Sequence, residues 1–137
     1  MDQNNLSELP GKADPHSREG RIAIAGMVMK LFELWELPVK DQLSFLGLSP
    51  GSKKTLDRYR KKEPFSDHRD LMDRAGNLLA IHRALRILYP HNRKIVYDWM
   101  TTPNSDFGGH SPADMVREKG FLGLVIVRNY LEHKLER

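Results

Sequence analysis

Residues 99–114 read Trp99-Met100-Thr101-Thr102-Pro103-Asn104-Ser105-Asp106-Phe107-Gly108-Gly109-His110-Ser111-Pro112-Ala113-Asp114, and Gly120 follows. Pro103-Asn104 and Gly108-Gly109 are turn punctuators, because Pro fixes φ and Gly admits positive φ. A helix carrying Trp99 must therefore stop here. Ser111 has N-cap chemistry, Pro112 suits the first helical position, and Asp114 places negative charge where a helix start is positive. Gly120 is spaced to close a helix of about two turns. Trp99 and Phe107 bracket a loop too short for a core of its own, so both rings are expected to pin it to neighbouring helices.

Working outward, helical periodicity dominates the chain. Ile24, Val28, Leu31, Phe32 and Trp35 recur at helical spacing from Arg18 onward, in a helix that Pro38 closes. Residues 39–46 predict a short second helix with Leu43 and Leu46 inward and Gly47 after it. A third, N-capped by Ser52, reaches Lys62 before Pro64. Residues 66–89 place Leu71, Ala75, Leu78, His82, Leu85 and Tyr89 on one stripe, and Pro90 ends that helix. Further helices are expected over 92–100, 112–119 and 121–136. In the last, residues 121–127 are apolar nearly all round and are expected in the core, whereas the polar residues beyond Val127 imply a helix that emerges from the fold. The expected fold is all-α: a flexible tail over 1–17, a helix-turn-helix unit over 18–65 and a helical C-terminal unit over 66–137.

Composition narrows the function classes. The chain has 137 residues, 39% hydrophobic and 29% charged, the balance of an ordinary globular protein. No apolar run approaches transmembrane length. With no cysteine there is no disulfide framework and no thiolate metal site. Together with a polar N-terminus, this gives the expectation of a cytoplasmic protein without a membrane partner. The net charge of +4 favours an acidic partner.

The cations are concentrated. Lys53, Lys54, Arg58, Arg60, Lys61 and Lys62 crowd the third helix against Asp57 alone. Helical spacing puts Lys54, Arg58 and Lys61 on one face with Lys53 and Arg60 beside it, while Leu56 and Tyr59 can turn inward. A short helix and a Gly-Leu-Ser turn precede it, the layout of a helix-turn-helix whose second helix enters the major groove. Lys53, Lys54, Thr55, Arg58, Arg60 and Lys61 are the candidate DNA-binding residues, with Arg58 suited to a guanine edge. Ser49-Pro50-Gly51 lengthens the turn relative to compact motifs. A solvated basic face without nucleic acid is the competing reading.

The segment from Trp99 to Gly120 resembles the C-terminal toxin-binding domain of Xre/MbcA/ParS antitoxins, through Trp99, Asn104, Phe107, Gly108, Ser111, Pro112 and Gly120. Leu46-Gly47-Leu48-Ser49, Leu56-Asp57-Arg58-Tyr59-Arg60 and the apolar stripe of the long helix extend the likeness over residues 18–133. The resemblance implies an antitoxin that binds a RES-type, NAD-degrading toxin and represses its own operon as a homodimer on operator DNA. It implies no cofactor for this chain, since NAD would belong to the toxin. The last helix, through Tyr130, Leu131, His133, Lys134, Leu135 and Arg137, is the candidate toxin contact.

Catalytic readings are weak. The six histidines show no paired metal-ligand spacing, His82 falls on an apolar face, and Gly108-Gly109 is too short to cradle a phosphate. No nucleophile elbow is present. The alternative to an antitoxin is a stand-alone helical DNA-binding regulator.

Overall fold

Ser17 begins the described helices. Its hydroxyl accepts a hydrogen bond from the Gly20 amide at 3.0 Å, and the Gly20 Cα packs so close to the Asp14 carbonyl that a Cβ would lie 2.1 Å from it. Residues 14–17, expected as tail, are therefore the capping turn of the first helix. The computed structural model describes residues 14–136, so tail residues 1–13 and Arg137 lie outside the described residues. The helices are α1 (Arg18–Leu34), α2 (Val39–Phe45), α3 (Lys53–Arg60), α4 (Arg69–Leu88), α5 (Arg93–Asp98), α6 (Pro112–Lys119) and α7 (Phe121–Leu135). Short 3-10 turns occupy Trp99–Thr101 and Ser105–Phe107, and no strand occurs among the described residues.

The helix ends explain where the sequence boundaries shift. Leu37 N–H bonds the Phe32 carbonyl and Glu36 N–H that of Glu33, both at 3.0 Å, so a left-handed Glu36 at φ 56° ends α1 ahead of Pro38. Gly47 closes α2 in the same way at φ 70°, with Leu48 N–H on the Leu43 carbonyl at 2.9 Å. Lys62 repeats the motif at φ 66°, ending α3 at Arg60 and not at Lys62. At the other boundary Asn92 caps α5, and the helix tightens into the 3-10 turn at Trp99 instead of running on to Met100.

The apolar stripes meet in one core. Phe32, Trp35, Phe45, Leu56 and Phe65 from the first half join Leu78, Leu85, Val116, Leu124, Val127 and Leu131 from the second in a single buried cluster. The α4 stripe behaves as its spacing predicts: Leu71, Ala75, Leu78, His82 and Leu85 are all buried, and Tyr89 is partly so. His82 Nε2 lies 3.0 Å from Tyr97 Oη. α4 is the axial element, packed against both α1 and α7.

Two expectations for α7 fail. Phe121 and Leu122 are 37% and 58% exposed, because the helix starts at a corner and only the Gly123, Leu124 and Val127 stripe faces α4 and α6. Burial also does not stop at Val127: Leu131 is fully buried and Leu135 packs on the core, one and two turns further along the same face. At the α6–α7 corner, a Cβ on Gly123 would sit 2.4 Å from the Met115 carbonyl oxygen.

Polar links tie the two halves together. Arg117 of α6 donates from Nε and Nη2 to the buried Asp41 of α2 at 2.9 and 2.8 Å. Arg74 of α4 pairs with Asp70 and directs Nη1 at the carbonyls of Ser44 and Phe45, so it caps the C-terminal end of α2. Its guanidinium also lies over the Phe121 ring, 5.9 Å from the centroid.

Candidate functional site

The loop between α5 and α6 is held by its own backbone and by rings. Asn104 N–H bonds the His110 carbonyl and Gly109 N–H bonds that of Asn104, each at 3.0 Å, which closes the loop upon itself. The Asn104 side chain accepts from the Asp106 amide, and Gly108 takes a left-handed conformation at φ 66°. Below the loop, Trp99 stacks on Tyr130 of α7 with centroids 6.1 Å apart and meets Phe107 edge-on at 6.4 Å. Phe107 and Tyr130 close the triangle at 4.9 Å. Trp99 is half-buried, so the triangle is a surface-facing clamp. Tyr130 Oη donates to Asp106, and burial first, then this hydrogen bond, push the phenol above its ordinary value.

The other end of the loop starts α6 as its sequence predicts. Ser111 and Asp114 form a reciprocal capping box, with Ser111 Oγ accepting from Asp114 N–H at 3.1 Å and Asp114 Oδ2 from Ser111 N–H at 3.0 Å. The Ser111 amide holds the Asp114 carboxyl below its ordinary range, and Arg117 adds attraction. Gly120, at φ 59° and ψ −132°, both ends α6 and opens α7.

Along α7 the expected toxin contacts separate. His133 and Lys134 are exposed, and Lys134 Nζ lies 5.1 Å from the Tyr130 ring centroid. Tyr130 is half-buried, and its ring belongs to the aromatic clamp. Leu131 is fully buried and cannot touch a partner, since it falls on the core stripe with Leu124 and Val127. Leu135 is half-buried against that core, and Arg137 lies outside the described residues.

The basic helix divides similarly. Leu56 and Tyr59 are buried, Tyr59 edge-on to Phe65 at 4.6 Å, and this orients the opposite face of α3 outward. Lys53, Lys54, Arg58 and Lys61 are exposed there, and Thr55 is half-buried with Arg58 Nη2 3.4 Å from its hydroxyl. Arg60 stands apart: it bonds Asp57 at 2.8 Å and the Gln42 side-chain carbonyl at 2.9 Å, bracing α3 on α2. Ser52 occupies the N-cap position but makes no capping bond, because its hydroxyl pairs with Ser49 Oγ at 2.8 Å inside the lengthened turn.

Sequence reasoning missed the buried Asp41 and its partner Arg117, and the Asp106 acceptor of Tyr130. The available signal for Asp41 was an acid on the inward side of a very short helix.

Residues 84–133, which contain the clamp, the loop and the capped helix, match the family described as the antitoxin Xre/MbcA/ParS C-terminal toxin-binding domain. The chain belongs to the Xre/MbcA/ParS antitoxin family. A curated relative from Sinorhizobium fredii, named only as uncharacterized protein y4oB, is 31% identical over 128 residues, covering 93% of this antitoxin and 96% of the relative. That likeness spans α1 to α3 as well as most of the stretch that matches the family. The family assigns this antitoxin a regulatory role through a toxin partner. No described helix is long and apolar enough to cross a membrane.

Proposed function

We propose that this antitoxin neutralises a RES-type, NAD-degrading toxin through residues 66–137 and, as a homodimer, represses its own operon through residues 18–65. The observation that carries the reading is the outward face of α3. Lys53, Lys54, Arg58 and Lys61 stand exposed on the same core that supports the toxin-binding domain. A face whose cations are not paired internally is suited to phosphates, and Arg58 supplies the bidentate geometry a guanine edge requires. NAD enters as the toxin's substrate, with no role for this chain in binding it. Of the expected contacts on α7, the exposed His133 and Lys134 and the half-buried Tyr130 and Leu135 remain in reach of a toxin.

Co-expression with the product of the adjacent reading frame tests the reading. Cells should survive induction of that frame only when the antitoxin is present, and NAD should fall when it is absent. Survival without the antitoxin, combined with a gel shift on the promoter, would favour a stand-alone regulator.

A further inference from the structure

Phe121 and Leu122 stand together at the α6–α7 corner, 37% and 58% exposed, and adjacent apolar side chains left in water mark an interaction surface. An open cleft of about 650 Å³ lies on α2 and the turn after it, with Val39, Leu43, Leu48 and Pro50 as its apolar lining. Arg74 connects the two features. Gly47 also lines the cleft, and a Cβ there would sit 2.7 Å from Arg74 Nε, while the same guanidinium lies 5.9 Å from the Phe121 ring centroid. Its bonds to Asp70 and to the Ser44 and Phe45 carbonyls hold it in that place. A projecting apolar pair and an apolar recess therefore sit side by side on one face.

We propose that this face pairs two copies of the antitoxin, Phe121 and Leu122 of each copy seating in the α2 cleft of the other. The inference rests on the homodimer reading and supplies its interface. A two-fold axis between projection and recess makes both contacts at once, and a surface that carries both is complementary to itself. The charges agree with this occupant. Lys40 lines the recess, and the exposed Glu118 stands three residues before Phe121, so the incoming pair brings a carboxylate toward a lysine. A nucleic-acid backbone needs cations but no apolar seat. The recess also lies outside residues 84–133, which match the toxin-binding domain, whereas the projection lies within them, so a second copy of the whole chain supplies both. No α3 side chain lines the cleft, and pairing here leaves the cations of α3 to the operator.

The test is sedimentation velocity on the full-length wild type, Leu122→Asp and, as a control at an exposed apolar position toward the other end of α4, Ile87→Asp. Each dimer loses the Leu122 contact twice, so Leu122→Asp should weaken dimerisation by about 30-fold or more, with an unchanged melting temperature, and Ile87→Asp should pair like the wild type. The chain has no cysteine, so single cysteines report one contact each. Leu122→Cys mixed with Pro50→Cys should give a dimer with a short bis-maleimide faster than either variant alone. A wild-type dimer that Leu122→Asp leaves intact, or a mixture that crosslinks no faster than the single variants, overturns the proposal while the homodimer stands. Loss of toxin binding by Leu122→Asp with the dimer intact overturns it too and gives the face to the toxin. A wild type that stays monomeric with and without promoter DNA removes the homodimer reading itself, and this interface with it.

Discussion

Arg117 holds Asp41 with two parallel hydrogen bonds, joining helices whose partners are 76 residues apart in sequence. The two ends differ in exposure: the Asp41 side chain is 6% accessible and that of Arg117 40%. Removing the arginine leaves a buried carboxylate without its counter-charge, whereas removing the acid releases an arginine that can reach water and Asp114. Arg117→Ala should therefore cost about 2–3 kcal/mol, less than a fully buried pair, and Asp41→Asn clearly less. Urea denaturation of both variants and their double checks this. Equal costs would show that the pair contributes no charge compensation.

Glu36 and Gly47 occupy equivalent left-handed closing positions but should respond oppositely to exchange. Glu36→Gly removes the strain of a side chain at positive φ and should stabilise by up to about 1 kcal/mol, reduced by the extra freedom of glycine when unfolded. Gly47→Ala adds that strain and places a Cβ 2.7 Å from Arg74 Nε, disturbing the cap on α2. It should lower the melting temperature by several degrees, the loss expected for about 1–2 kcal/mol in a domain of this size. Thermal melts followed by circular dichroism report both.

Trp99 is half-buried in a clamp, so Trp99→Ala should cost about 2 kcal/mol, below the 3–5 kcal/mol typical of a fully enclosed aromatic ring. In a Trp35→Phe background, Trp99 should emit at an intermediate wavelength and remain partly open to acrylamide. Complete protection or a water-like maximum would contradict its stacking on Tyr130.

Acid should weaken the α6 start. Asp114 titrates below its ordinary value of 3.8 in the folded protein, so its contribution is fully present above that value and disappears as pH falls through the lowered one. Asp114→Asn should cost about 0.5–1 kcal/mol at pH 7, and the difference from wild type should close as pH falls through that lowered value. A gap that persists at low pH would mean the carboxylate charge is not what the cap uses.

On α3, alanine at Lys53, Lys54 and Arg58 should abolish promoter binding with helical content unchanged, and wild-type affinity should fall steeply with salt. Arg60→Ala should act through stability instead, since its guanidinium braces Asp57 and Gln42. Gel shifts alongside melting curves separate the two effects.

The all-α architecture, the α4 stripe, the N-cap at Ser111 and the turn around Gly108 were legible in the sequence because each depends on chemistry within a few residues. Caps, turn glycines and helical periodicity are local, and tertiary contacts here reinforce them. What the linear order could not fix is which half-buried surface meets which. Phe121 and Leu122 are as apolar as Leu124 yet stay exposed, since rotation about the α7 axis is set by α4 and α6. Leu131 looked available beside Tyr130, but the same rotation buries it. Asp41 and Arg117, or Asp106 and Tyr130, become partners only when packing brings distant segments together, and no spacing rule connects them. The sequence by itself determined where each helix lies to within about a turn; the tertiary structure decided which faces remain exposed, because exposure belongs to the packed core as a whole.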